Sequence, residues 1–193
     1  QNNDPSVDQR PSPFCGQARS SGDWYTANNP GSAYNQKWFQ YMTAMEGYLD
    51  GLGYLDMAYY YFANEPQNQA DYDAVAWYSQ ELKNVAPDLK LAVSEEPKPE
   101  IYDHSTYTGA KIDLWLAHLG IHLKPTAALD RLQNHDEETW FYFLNSTYLP
   151  RFNAFTIDHP GVEAKFSGWY LWKHRLRGLA YSRFNDWGSN PWT

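Results

Sequence analysis

The chain has a single cysteine, Cys15, among 193 residues. That count excludes an internal disulfide framework and a thiolate-based zinc site. No apolar run approaches the roughly 18 residues that mark a membrane-spanning helix. Positive charge is also scarce, with 15 Lys and Arg against 23 Asp and Glu, a net charge of −8. A nucleic-acid backbone requires clustered cations, so it is not an expected partner, whereas a neutral glycan is compatible with this balance. There is no glycine-rich phosphate loop and no Gly-x-Ser-x-Gly nucleophile elbow. His118 and His122 stand four apart. Gly120 lies between them and no glutamate follows His118 in the zincin pattern, so neither a metal site nor a cofactor is expected. The first residue is Gln1 rather than Met. A processed or trimmed chain is therefore the expectation. The expected location, taken separately, is secreted, cell-surface or periplasmic.

Aromatic residues are abundant: 9 Trp, 16 Tyr and 9 Phe. They fill cores, and their faces also stack on sugar rings. Hydrophobic residues make up 42% and charged residues 20%, the balance of a globular chain long enough for one real core. Residues 1–35 carry Pro5, Pro11, Pro13, Gly16, Gly22, Pro30 and Gly31 with no periodic apolar pattern. They read as an extended irregular arm, held on the body by Phe14, Trp24 and Tyr25.

The remainder, 36–193, alternates in pattern. Trp38, Met42, Met45, Leu49 and Leu52 recur at helical spacing, with Gly51 and Gly53 as a stop. A strand at about 58–63 follows, ending in Asn64-Glu65-Pro66. A helix at about 70–86 puts Val75, Tyr78, Leu82 and Val85 on one face. Leu89 to Val93 is a second strand, again followed by carboxylates and a proline, Glu95-Glu96-Pro97. Ile112–Leu116 and Trp140–Leu144 read as further strands, with a helix or crossover at 125–137 between them. Pro160 suits the first turn of a helix running to about Arg177, which Gly178 closes before a last strand, 179–184.

Strands alternating with helices imply parallel pairing and right-handed crossovers. A complete (β/α)8 barrel takes about 200 to 250 residues or more. The expected fold class is therefore α/β, a partial (β/α)8 TIM-type barrel. It would be about the C-terminal half, strands 4–8, with an extended N-terminal arm. Another chain or segment would complete it; a small open α/β sheet is the alternative.

A parallel sheet gathers its strand ends on one rim, where α/β folds place ligands. The polar groups there are Asn64, Glu65, Ser94, Glu95, Glu96, Asp113, Asn145, Asn185 and Asp186. Carboxyl groups among aromatics are what glycoside hydrolysis needs. One carboxyl protonates the leaving oxygen while another group stabilises the positive charge developing on the sugar. Glu65, Asn64, Glu95 and Glu96 are the candidate catalytic residues. Tyr61, Trp115, Tyr142, Tyr181, Asn185, Asp186 and Trp187 are candidates for binding a carbohydrate or glycoconjugate. Asp113 lies early in its strand, so the opposite rim or a pairing with a lysine is the alternative to a catalytic role. Asp158 suits a helix cap, and Glu163 a nearby base.

The run Thr156-Ile157-Asp158-His159-Pro160-Gly161-Val162-Glu163, then Gly168-Trp169-Tyr170-Leu171-Trp172-Lys173, Gly178-Leu179-Ala180-Tyr181, Asn185-Asp186-Trp187 and Asn190-Pro191-Trp192, is distinctive. With Gly53-Tyr54-Leu55-Asp56, Asn64-Glu65-Pro66 and Ile112-Asp113-Leu114-Trp115, it resembles the C-terminal part of glycoside hydrolase family 123 over roughly 36–193. The resemblance implies a (β/α)8 catalytic barrel and exo-cleavage of a terminal β-linked N-acetylhexosamine. The reaction would be substrate-assisted, the sugar's acetamido oxygen attacking the anomeric carbon. In that family an adjacent Asp-Glu pair serves the reaction. Carried over by position, Glu65 is the general acid/base. Asn64 stands where the family has Asp, so the charge offsetting the cationic intermediate would come from Glu95 or Glu96, or the chain would be weakly active. A binding relative without turnover and a structural assembly subunit are the alternatives. Asn64-Glu65-Pro66 also looks like the acid/base motif of glycosidases that use two glutamates. Those need a second Glu at a later strand end, where this chain has Leu144-Asn145.

Overall fold

The computed structural model describes residues 8, 10–120, 123–144, 147, 149–156 and 158–181. The sequence signals for element starts act locally. Helix α1, Ala33–Gly51, begins at Ser32, whose hydroxyl accepts the Asn35 N–H, and the chain reverses at Gly53 with φ 71. Strand β1 is Tyr59–Asn64. Helix α2, Gln69–Val85, starts at Asn68, whose side chain accepts the Asp71 N–H. Strand β2 is Lys90–Ser94, followed by a single-turn helix α3, Pro99–Tyr102. Strand β3, Leu114–His118, lies two residues later than the pattern suggested. Helix α4, Pro125–His135, leads to strand β4, Glu138–Phe143. Helix α5, Glu163–His174, precedes strand β5, Gly178–Tyr181.

The five strands form one parallel sheet in the order β1-β2-β3-β4-β5. Paired residues of parallel neighbours point the same way, so the register assigns the faces. Ala63, Val93, Trp115, Thr139 and Phe141 share one face. Helices α1 and α2 pack there through Trp38, Phe39, Met42, Val75, Trp77 and Leu82. Ala128 of α4 and Tyr170 and Leu171 of α5 pack around Phe141 and Phe143 on that face. Each large side chain taken fully out of water here contributes about 1.5–3 kcal/mol before entropy is counted. The sequence reading of an α/β sheet with parallel strands holds.

Both ends of helix α5 differ from the expectation. Helix α5 ends at His174, and Arg175 caps it in the left-handed conformation at φ 55. Gly178 does not close the helix; it opens β5, where a Cβ would collide with the Trp140 ring. At the other end Val162 is the N-cap, without a side-chain cap bond, so Asp158 is not the cap. Glu163 does find a base, accepting from His159 Nδ1 at 2.6 Å.

The arm is ordered by a buried polar cluster. Arg10 donates to Asp8 (2.9 Å), Asn35 (2.7 Å) and the Tyr78 hydroxyl (2.7 Å). Phe14 packs edge-on against Trp38 and Tyr41 at 4.9 and 5.3 Å, and Tyr25 also joins the core.

Candidate active site

On the face away from these helices, at the C-terminal strand ends, lies a pocket of about 270 Å³. Its lining is Tyr61, Asn64 and Glu65 from β1 and its end, Ser94 from β2, Leu116, Tyr142, Leu144, Ala180 and Tyr181. Among the described residues, Glu65 is the one carboxyl group in that lining.

Strict alternation along β1 would put Asn64 on the helix side, opposite Tyr61. The register slips between Tyr61 and Ala63, leaving Phe62 as an extra residue, and Phe62 and Ala63 both join the helix-side core. This bulge returns Asn64 to the pocket face. Glu65 then takes a left-handed backbone, φ 47, so consecutive side chains both line the pocket. A bulge and a non-glycine residue at positive φ both recur at functional sites.

Hydrogen bonds fix the pair. The Tyr61 hydroxyl donates to Asn64 Oδ1 at 2.5 Å, and the Glu65 N–H donates to Ser94 Oγ at 3.3 Å. The Tyr142 hydroxyl donates to Glu65 Oε1 at 2.7 Å. Burial first, then the Glu65 carboxylate, pushes the Tyr142 phenol well above its ordinary value, so it stays a donor. His118 lies against Tyr142 at 5.3 Å and is hydrogen-bonded to Thr147 Oγ1 at 3.0 Å, backing the tyrosine.

Four predicted residues, Tyr61, Asn64, Glu65 and Tyr142, meet directly, and Tyr181 joins the lining. Glu95 and Glu96 do not. They are 7% and 2% exposed and lie toward Tyr72 and Lys98, outside the pocket lining. Glu96 pairs with Lys98 at 3.0 Å and with Lys124 at 3.6 Å. Burial, then the hydrogen bond and repulsion from Glu96, pushes Glu95 up to about 8. A Glu95 carboxyl that is largely protonated at neutral pH supplies little negative charge. Trp115, expected to bind sugar, does not reach the pocket. It is fully buried on the helix face, its Nε1–H donating to Glu137 at 2.8 Å, and its neighbour Leu116 takes the pocket position. Ser94, expected at the rim though not as a site residue, lines the pocket, together with Leu116, Leu144 and Ala180, for which face parity along each strand is the available signal. Asp113 sits on the opposite rim, paired with Lys83 at 2.8 Å. Asn185, Asp186 and Trp187, like His122 and Asn145, lie outside the described residues. No group of three or more potential metal ligands occurs among the described residues.

The fold is an α/β domain with a parallel sheet whose helices share one face, and a hydrogen-bonded carboxyl sits in a tyrosine-walled pocket at its strand ends. The family model described as "Glycoside hydrolase 123, catalytic domain" matches residues 17–193. The chain belongs to that family, and its function is accordingly glycoside-hydrolase-like with a carbohydrate substrate. The match begins inside the arm, earlier than the expected residue 36. Among curated proteins nothing matches the chain.

Proposed function

We propose that the chain removes a terminal sugar, a β-linked N-acetylhexosamine, with Glu65 as general acid/base. The observation that carries this reading is the paired presentation of Asn64 and Glu65 to one pocket by a bulge and a left-handed turn. Glu65 protonates the leaving oxygen as the acetamido oxygen closes on the anomeric carbon. It then takes a proton from the water that opens the oxazolinium ion. Tyr142 holds one carboxyl oxygen and leaves the other for substrate. Tyr61 and Tyr181 offer faces for the ring. The sheet is, in this reading, half of a (β/α)8 barrel that another segment or chain completes. The unreversed strand order, the single helical face and the 43% exposure of Tyr61 on the other face support that.

A second reading, binding with little turnover, is favoured by Asn64. An amide carries no charge to offset the cationic intermediate, and such a loss costs about 10²-fold or more in rate. Aryl N-acetylhexosaminides assayed with the parent chain, Glu65→Gln and Asn64→Asp separate the two. The proposal expects hydrolysis that Glu65→Gln abolishes and that Asn64→Asp raises by about 10²-fold. Hydrolysis unaffected by Glu65→Gln would sink the acid/base role. Ligand binding with no turnover in any of the three chains selects the second reading.

A further inference from the structure

The outer side of α5 is unusual for a solvent-facing helix surface. Its inner side packs Tyr170 and Leu171 against the Phe141 cluster. The outer side carries Phe166, Trp169 and Trp172, which are 41%, 66% and 85% exposed. Phe166 and Trp169 are three apart, as are Trp169 and Trp172, so the three rings follow one another along the helix. Phe166 meets Trp169 edge-on at 5.5 Å, which steadies the first indole. Lys165 and Lys173 flank Trp169 at four residues on either side, and both are exposed. From Lys165 to Lys173 the helix rises about 12 Å, long enough for more than one sugar ring.

Trp172 also forms the wall of a cavity of about 710 Å³ at the end of the helix. Lys173, Arg175 and Arg177 line it over a floor from Leu132 and Leu171. The charge here opposes that of the molecule as a whole. The net charge is −8, yet residues 164–177 contain Lys165, Lys173, Arg175 and Arg177 and no acidic residue. Arg175 adds a separate observation. It holds the left-handed cap at φ 55, a backbone state usually left to glycine at a helix end. The chain accepts strain there and keeps a guanidinium beside the cavity.

We infer that this face is a second carbohydrate-binding site, selective for an acidic glycan carrying sulfate esters or carboxylates, and separate from the Glu65 pocket. The indole faces stack on sugar rings, and the lysines and arginines take the anionic substituents. Guanidinium groups suit both anions because their N–H donors match paired oxygens. A neutral glycan would leave the cations without partners, and a purely apolar partner would have to desolvate them. The inference does not depend on turnover at Glu65.

The test is isothermal titration of the chain with three hexasaccharides: chondroitin sulfate, hyaluronan and chitohexaose. The first carries sulfate and carboxylate, the second carboxylate alone and the third no charge. The parent chain is expected to bind one or both acidic probes, more weakly as salt rises, and to bind chitohexaose at this face at least about tenfold more weakly. Lys173→Glu with Arg175→Glu is expected to reduce acidic-probe affinity by about tenfold or more. Trp172→Ala is expected to reduce it several-fold, with Trp172→Phe restoring most of it. All these side chains are exposed, so circular dichroism is expected to be unchanged, and Glu65→Gln is expected to bind the acidic probes like the parent. Acidic-probe binding that the variants leave unchanged overturns the inference, as does no binding of any acidic probe. So does self-association of the parent abolished by Trp172→Ala without acidic-glycan binding, which would make the face an interface between copies.

Discussion

The hydroxyl of Tyr142 touches the candidate proton donor directly, at 2.7 Å from Glu65 Oε1. Tyr142→Phe removes that contact and little volume. The carboxyl then loses its orientation, and a group displaced by about 1 Å can cost roughly 10²-fold in rate. The expected result is kcat reduced by about 10- to 100-fold with KM nearly unchanged, measured on an aryl N-acetylhexosaminide. Glu95 offers a different handle. Its carboxyl is pushed up to about 8 by burial and by Glu96, while an unfolded Glu titrates near about 4.3. The native chain therefore keeps a proton that the unfolded chain releases. That contribution to stability is complete below about pH 4 and is lost as pH rises toward about 8. Urea midpoints are expected to carry a component that declines between about pH 5 and pH 8, and Glu95→Gln is expected to remove that component. A parent and variant with parallel pH profiles would contradict the assignment.

The elements were largely legible in the sequence because each strand–helix step follows a periodic rule. Trp38 and Met42 at helical spacing lie in the core as read, and Asn64-Glu65-Pro66 does end a strand. What could not be read was local geometry that breaks period. The bulge at Phe62 changes which way Asn64 points, and composition carries no mark of it. Gly178 looked like a helix stop because glycine commonly is one, yet its smallness is used against Trp140. Residue type alone suggests sugar stacking for Trp115, whereas face parity puts it among the helices. There it belongs to a buried polar knot joining β3, α4 and the start of β4. Arg131 pairs with Glu137 through two hydrogen bonds, Trp115 donates to the same carboxylate, and Arg131 lies 3.9 Å over the Tyr102 ring. Glu137 is 2% exposed. Glu137→Ala strands a buried guanidinium and an indole N–H together. It is expected to destabilise the fold by about 3–5 kcal/mol in denaturant titration. A loss under about 1 kcal/mol would mean that the knot is solvated.

Across the whole molecule, the arm is held by chemistry that acid can undo. Burial alone would raise the Asp8 carboxyl, but its bonds to Arg10 and Tyr78 and the charge of Arg19 outweigh that and hold it below the ordinary range. A depressed carboxylate gives stability that is present above its unfolded value and is lost as pH falls through the native one. Amide hydrogen exchange between Arg10 and Ser32, corrected for its intrinsic pH dependence, is therefore expected to speed up below about pH 4, and Asp8→Asn is expected to speed it up at neutral pH. Equal protection of parent and variant would show that Phe14 and Tyr25 hold the arm unaided.

The unreversed order of the five strands has a kinetic consequence. Among the described residues each strand pairs only with those before and after it in the chain, as repeats do in a solenoid. Each of these ladders closes a loop of a few tens of residues, so none of the four waits for a distant part of the chain, and the entropy of closure is met in small instalments. Such a sheet can zip from β1 toward β5 as the chain emerges during synthesis, each finished unit serving as the template for the next.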